Sequence, residues 1–301
     1  MKIKPFLKWV GGKSKILTEI FQNFPKEIDT YWEPFLGGGS VLFYLLEQME
    51  EGLIKVKCVK VNDLNSNLIN LYNQIKDNHV NFVNELDKLI KVYKDASDIK
   101  YEPRHKFPSV SLNDSIKGGK QHVYYYYRNY YNKTCDNKVV KAALFLFLNK
   151  TCFRGLYREG VNGFNAPYGN YKNPGFYQKD NIVSVSNLLR KYNVKFENKD
   201  YNKFLQCIKL NKFKFDFIYL DPPYHPITDT SFTRYQKDDF TDHDGLSDLC
   251  EKLPRFVQSN SKCIYNMEKY KKYTIKEVDI IHTINSKKPG KKLKEILIIN
   301  N

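Results

Sequence analysis

A chain of 301 residues, 42% hydrophobic and 15% aromatic, can bury a substantial core, which excludes wholesale disorder and allows one large domain or a core domain with a smaller companion. A formal net charge of +16 points to a polyanionic partner, nucleic acid before an anionic membrane, although a lysine-rich codon bias would raise the same number. No stretch approaches the roughly 20 apolar residues of a membrane helix, and the start MKIKPFLKWVGGK lacks the apolar core of a signal peptide. Cys58, Cys135, Cys152, Cys207, Cys250 and Cys263 show no CxxC spacing, and the histidines form no HxxxH pair. The expectation is a cytoplasmic, intracellular protein with no membrane partner and no metal.

The first part of the chain reads as loop, helix, strand, glycine turn, helix and strand. KSKILTEIFQNF (13–24) has apolar residues near helical spacing, TYWEPF (30–35) is aromatic and β-prone, and VLFYLLEQMEEG (41–52) is helical and closes on glycine. KVKCVKVND (55–63) alternates as a strand and ends on an acid. Helical period returns over 66–95, in NLINLYNQI and then VNFVNELDKLIKVY. Residues 95–120, with Pro103, Pro108 and a Gly-Gly pair, read as a long loop or an inserted excursion. YYYYRNYYN and KVVKAALFLFLNKT are helical, and 153–178 is a Gly-, Asn- and Tyr-rich loop too polar and irregular for a core.

The tail returns to α/β alternation. SVSNLLRKY reads as helix, VKFENKD as strand and loop, FLQCIKL as helix and FDFIYL as strand. DGLSDLCEKLPRFV reads as helix, CIYNM as strand, and YTIKEVDIIHTI and KLKEILIIN as two strands around a Lys-Pro-Gly turn. A helical block between two α/β portions predicts a doubly wound sheet with a helical subdomain inserted after its second strand. Within the block, Tyr124, Tyr127 and Tyr131 share one helix face, the pattern of a core stripe rather than of a platform for bases.

Three features carry chemistry. EPFLGGGS (33–40) lies between a strand and a helix, where glycine lets a cofactor approach backbone N–H groups, although the same turn can exist without a ligand. It departs from GxGxxG, so a dinucleotide cradle fits poorly. Asp63 ends the next strand, where a doubly wound fold places the acid that accepts ribose hydroxyls; the other reading is an Asx cap on the helix near Ser66. Turn and acid together point to an adenosine-bearing cofactor.

FDFIYLDPPYHP (215–226) runs an apolar strand into an acid and two prolines. An exocyclic amine on a base is a poor nucleophile because its lone pair is delocalised into the ring. Two acceptors on its hydrogens favour the pyramidal form, which can attack an electrophilic methyl group. Asp221 can be one acceptor and the Pro222 carbonyl the other, with Pro223 holding that carbonyl extended. Tyr224 offers a face for an extruded base. The competing reading is a strand-terminating Asp-Pro turn.

KPFLKWVGGK (4–13), EPFLGGGS (33–40), VNDLN (61–65), ALFLFLNK followed by FRGLYR (143–158), FNAPYGNYKNP (164–174) and LDPPY (220–224) occur in that order. The ordered set resembles the Dam-type DNA adenine-N6 methyltransferases from residue 4 to the end, with 95–120 longer than that pattern. The resemblance implies a Rossmann-like methyltransferase domain over 1–66 and 172–301, with a helical target-recognition subdomain over 67–171. It implies an S-adenosylmethionine site built from Trp9, Lys13, Phe35, Gly37, Asp63 and Asp221, and a catalytic motif of Asp221, Pro222, Pro223 and Tyr224. Taken alone, Trp9 is more readily a core aromatic and Lys13 a surface charge at a helix start.

The same resemblance implies that Leu156, Arg158 and Pro167 contact bases. Arg158 suits guanine O6 and N7, against a phosphate contact or a surface salt bridge. Arg154 departs from the pattern, and its role stays open. The lysines of SKKPGKKLK (286–294) either track phosphate or solvate a turn.

The expectation is therefore a monomeric, S-adenosylmethionine-dependent enzyme that docks on double-stranded DNA, extrudes an adenine and methylates its N6 amine without a covalent enzyme intermediate. GATC is the leading target, and the chain acts either alone or beside a separate cognate restriction endonuclease. Two alternatives stay open: cytosine-N4 methylation, whose enzymes more often carry Ser in place of Asp221, and a catalytically silent DNA-binding protein on the same fold.

Overall fold

The computed structural model describes residues 3–97, 99, 111–133, 135–206, 208, 215–226, 240–281 and 292–300. After the short helix α1 (Leu17–Phe21), strand β1 (Glu27–Glu33) leads through the glycine turn into α2 (Ser40–Glu50) and then strand β2 (Lys55–Asn62). Helix α1 is much shorter than the 13–24 expected. Ile16 has non-helical φ −126°, and Lys13 stands in the turn before it, its N–H donated to Ser40 Oγ at 3.1 Å. That backbone tether orients the Lys13 side chain inward instead of leaving it on a helix surface.

The helical block follows as α3 (Ser66–Asp95), α4 (Leu112–Lys117), α5 (Lys120–Lys133) and α6 (Lys138–Thr151). Asn65 caps α3, its Oδ1 accepting from Leu68 N at 3.0 Å. The two apolar segments expected over 66–95 form one helix with a kink at Asn78. Before the kink, Tyr72 stacks on Phe196 of the sheet at 5.3 Å; after it, Tyr93 meets Phe147 of α6 edge-on at 5.4 Å. One buried cluster therefore runs from Ile28, Tyr31 and Val61 on the sheet through α3 to Tyr124 and Phe147. Each fully buried Leu, Ile or Phe in it stabilises the fold by about 1.5–3 kcal/mol. Tyr124, Tyr127 and Tyr131 are all buried, as their shared helix face predicts. Helix α4 lies inside the stretch expected to be a loop, and residues 101–110 lie outside the described part.

The segment over 153–178 is not the coreless loop that its polarity suggests. A 3-10 turn (Phe153–Gly155) leads into a small hairpin, β3 (Glu159–Gly160) and β4 (Gly163–Phe164), and Tyr157, Phe164, Ala166, Tyr168 and Phe176 are buried. Tyrosine hides this in the sequence, because its ring packs while its hydroxyl finds a partner, as Tyr168 does with Tyr93 at 2.7 Å.

The chain then continues through α7 (Lys179–Lys191), β5 (Lys195–Glu197), α8 (Tyr201–Leu205), β6 (Phe217–Leu220), α9 (His243–Cys250), β7 (Phe256–Ser261), α10 (Ile264–Lys269), β8 (Thr274–Ile281) and β9 (Lys292–Asn300). Two expectations fail here. The helix over 244–257 stops at Cys250, and Phe256 and Val257 belong to β7, because Pro254 interrupts the helical backbone. CIYNM is not a strand but opens α10. Strand β7 is instead FVQSNS, whose polar residues are buried and bonded: Gln258 to Tyr270 OH, Ser259 to Tyr219 OH, and Asn260 to His225 N. Helix α8 starts and ends earlier than FLQCIKL, held at its start by Asp200, which accepts from Asn202 N at 2.9 Å. The Lys-Pro-Gly turn, with most of SKKPGKKLK, falls outside the described residues.

The seven-stranded sheet has the order β5-β2-β1-β6-β7-β9-β8. From β5 to β7 all pairs are parallel, whereas β9 runs antiparallel to both β7 and β8. The doubly wound expectation holds, with the direction of winding reversing between β1 and β6. Ligands of such sheets bind beyond the carboxyl ends of the strands at that reversal. The glycine turn leaves β1 there, and Asp221 leaves β6. Among the described residues, no helix is long and apolar enough to cross a membrane.

Candidate active site

The turn after β1 is left-handed at Gly37 (φ +50°) and Gly39 (φ +69°), a conformation that glycine adopts without strain. Trp9 packs directly on it. A Cβ at Gly38 would stand 2.9 Å from Trp9 Cβ, and one at Gly37 would stand 3.1 Å from Trp9 Cδ1 and Nε1. The other contacts of Trp9 are with Tyr157, stacked at 5.4 Å, and Phe145 at 6.2 Å. Trp9 thus joins the glycine turn to the helical block. A cleft of about 280 Å³ opens beside it, lined by Gly12, Gly38, Ser40, Arg154 and Leu156 among others; Asp221 does not line it.

Asp63 directly follows β2 and holds the same turn. Its Oδ2 accepts from Gly37 N and its Oδ1 from Asn65 N, both at 2.9 Å. Burial pushes the carboxyl up, while the Asn65 and Gly37 N–H groups hold it back. The helix cap is Asn65, not Asp63, so the acid is tied to the turn rather than spent on α3. Phe35 stacks on Tyr201 at 5.5 Å and meets Phe240 edge-on at 5.7 Å.

At the end of β6, Asp221 Oδ1 lies 2.8 Å from Lys13 Nζ, with the lysine 3% and the aspartate 20% exposed. Lys13 Nζ also donates to Gly11 O at 2.5 Å and stands 4.9 Å from the centre of the Tyr224 ring. Burial raises the Asp221 carboxyl to about 6; Lys13 draws it down and Glu295 pushes it further up. Pro222 is buried and Pro223 exposed. Tyr224 donates its hydroxyl to Glu295 Oε2 at 2.7 Å, and the His225 backbone is clamped by Asn260 Oδ1 and Ser261 Oγ.

Two acids in this region escape a reading by motif. Glu33, at the end of β1, is buried and accepts from Tyr31 OH at 2.9 Å. Its carboxyl is raised well above the usual range by burial, with Asp221 and Asp63 adding to the rise. Glu295 lies on β9, the last strand, in KLKEILIIN. Nothing local marks it; only the sheet order brings it near Asp221.

Leu156, Arg158 and Pro167 converge on the 3-10 turn and hairpin. Pro167 O accepts from Phe153 N at 2.8 Å, and Leu156 N donates to Phe153 O at 3.3 Å. Arg158 is exposed, but its guanidinium is held by Asn165, with Nε on Oδ1 at 2.6 Å and Nη2 on the carbonyl at 3.2 Å. Arg154 adopts φ +59°, an uncommon left-handed conformation for a non-glycine residue, and its guanidinium lies 5.1 Å from the centre of the Phe153 ring. Arg128, which sequence reasoning passed over, bonds Ala166 O at 3.1 Å behind the hairpin.

This sheet, with an acid-proline-aromatic motif at its reversal and a glycine turn beside it, defines a methyltransferase. Residues 9–284 match the family model of the D12 class N6 adenine-specific DNA methyltransferases. The chain belongs to that family and is an adenine-specific DNA methyltransferase, which removes the cytosine-N4 alternative. It is 38% identical to the type II methyltransferase M.MjaIII of Methanocaldococcus jannaschii, with full coverage of both chains. It is 32% identical to the type II methyltransferase M1.LlaDCHI of Lactococcus lactis subsp. cremoris, over all of this chain and 96% of that one. The DNA adenine methylase of Haemophilus influenzae is 30% identical over 99% of this chain and 94% of its own.

Proposed function

We propose that the chain uses S-adenosylmethionine to methylate the N6 amine of an adenine extruded from duplex DNA, with GATC as its target. The observation that carries this reading is the Lys13–Asp221 pair beside Tyr224, at the reversal of the sheet. The residues fit such a cofactor. Trp9 packs so closely on Gly37 that only glycine fits there, Asp63 holds the same turn through Gly37 N, and Glu295 and Asp221 form an acidic pair that suits a cationic ligand. Trp9, Lys13, Phe35, Gly37, Asp63 and Asp221 would hold it. When bound, this cofactor supplies a methyl group made electrophilic by a sulfonium sulfur.

Lys13 engages one Asp221 oxygen and favours its ionised form, leaving the second oxygen to accept one amine hydrogen. The Pro222 carbonyl accepts the other, so the nitrogen lone pair is withdrawn from the purine ring and aimed at the donor. Tyr224 supplies the face on which the extruded base stacks. Acceptors held rigid before charge develops lower a barrier in this way. The amine proton lost after transfer passes to Asp221 and then to solvent.

The helical block and hairpin, within residues 67–171, form the recognition part. Asn165 presents Arg158 to a guanine, with Leu156 and Pro167 beside it. The chain acts as a monomer on double-stranded DNA inside the cell, and a separate cognate restriction endonuclease is a compatible partner. The test is methyl transfer from labelled S-adenosylmethionine to duplexes that differ only in a GATC site. Transfer confined to the GATC duplex, at adenine N6, supports the reading. Equal transfer to both refutes the target, and none to either refutes the mechanism.

A further inference from the structure

We infer that Glu295 is a positioning residue for methyl transfer: from β9 it fixes the position of the Tyr224 ring and sets the charge balance around Asp221. The inference rests on the role of Asp221 proposed above. Tyr224 leaves the end of β6, passes the end of β7 and reaches β9, where its hydroxyl donates to Glu295 Oε2 at 2.7 Å. Glu295 is 7% exposed and stands opposite Ser261 of β7 in the antiparallel register. Ser261 Oγ in turn donates to His225 O at 2.6 Å, while Asn260 Oδ1 accepts from His225 N at 3.3 Å. The segment after the prolines is thus held at its backbone from β7 and at its aromatic tip from β9.

A tyrosine ring has two free torsions; tethering its hydroxyl to a buried strand fixes the first, which sets where the ring axis points, while the second turns the ring about that axis without moving the oxygen. The location of the ring then becomes a property of the sheet, as a stacking partner requires when misplacement by an ångström is costly. The second effect is electrostatic. Facing Asp221 are Lys13 from the N-terminal segment, Glu33 and Tyr31 from β1, Tyr219 from β6, Tyr224 and Glu295. Lys13 favours the Asp221 carboxylate, and Glu295 opposes it from the other side. Deleting the Glu295 charge alone must therefore make Asp221 more acidic.

The experiment compares kcat against pH for the native chain, Glu295→Gln, Tyr224→Phe and Glu295→Asp, with thermal unfolding as a folding control. Glu295→Gln keeps an acceptor for Tyr224 and loses the charge, so the acid limb should move to lower pH by about 0.5 unit or more. Tyr224→Phe loses the tether and keeps the charge, so kcat should fall roughly 10-fold while the acid limb stays or moves up. A purely structural Glu295 would lower activity without moving the limb, and that result overturns the inference. Should Glu295→Gln fail to fold, Glu295→Asp and Tyr224→Phe decide: the combined variant should lose no more than the worse single one, and additive losses overturn the inference. Transfer absent from the native chain, or surviving in Asp221→Ala, sinks the underlying reading and this one with it; both intact, with an unmoved Glu295→Gln profile, sinks this one alone.

Discussion

Lys13 and Asp221 meet at 2.8 Å although one lies in the N-terminal turn and the other at the end of β6. The lysine is almost fully buried, so its ammonium depends on that carboxylate, Gly11 O and the Tyr224 ring for partners. Each residue needs the other: the cation favours the ionised form of Asp221, and the anion repays the desolvation of the cation.

Replacing Lys13 with Met should raise the Asp221 pKa above its value of about 6, because the group that draws it down is gone. Turnover should be low near neutrality and recover as the pH is raised, moving the acid limb upward. A limb that stays in place would mean that Lys13 does not govern the ionisation of Asp221.

The same carboxyl makes a signed contribution to stability. Its folded pKa of about 6 lies above its ordinary value of 3.8, so the folded state binds the proton more tightly. This contribution is full below about pH 4, is lost as the pH rises through about 6, and amounts to roughly 3 kcal/mol at most. Urea unfolding of native protein and Asp221→Asn across that window should give curves whose difference falls with pH and then flattens. A difference that rises with pH would contradict the raised pKa.

Gly38→Ala should destabilise the chain and weaken S-adenosylmethionine binding, because the new Cβ would stand 2.9 Å from Trp9 Cβ. Strain of this kind costs about 1–3 kcal/mol. Trp9→Ala in the same chain should relieve the clash, so the two losses should not add in melting temperature. Simple additivity would show that Trp9 is not what the turn accommodates.

Arg158→Ala should relax discrimination at one guanine by about 1–3 kcal/mol, read as relative kcat/KM on duplexes altered at that base. Asn165→Ala frees the same guanidinium without deleting it, so it should relax discrimination in the same direction by a smaller factor. Unchanged discrimination in Arg158→Ala would remove Arg158 from base reading. Equal losses on every duplex would assign it to phosphate.

The sequence alone determined the succession of elements wherever a local period or a punctuating residue carried the signal. The glycine turn before α2, the apolar strand ahead of Asp221 and the tyrosine stripe of α5 are local patterns, and they hold. FVQSNS was missed as a strand because burial of Gln258, Ser259 and Asn260 depends on Tyr270, Tyr219 and His225, partners supplied only by the folded sheet. CIYNM looked like a strand because it is short and mostly apolar, and a run of that length has no period to tell helix from strand.

The site divides in the same way. Asp221, Tyr224, Gly37 and Asp63 stand out by residue type and spacing, and the fold sets Asp63 on the glycine turn and Lys13 between Asp221 and the Tyr224 ring. The inward turn of Lys13, the hold of Asp63 on Gly37, and the arrival of Glu33 and Glu295 near Asp221 were decided by tertiary structure. They depend on the order β1-β6-β7-β9, in which strands far apart along the chain become neighbours. Charges act across space through a low-dielectric interior, so a buried acid from the last strand can bear on the sixth without leaving any mark in the residues around either.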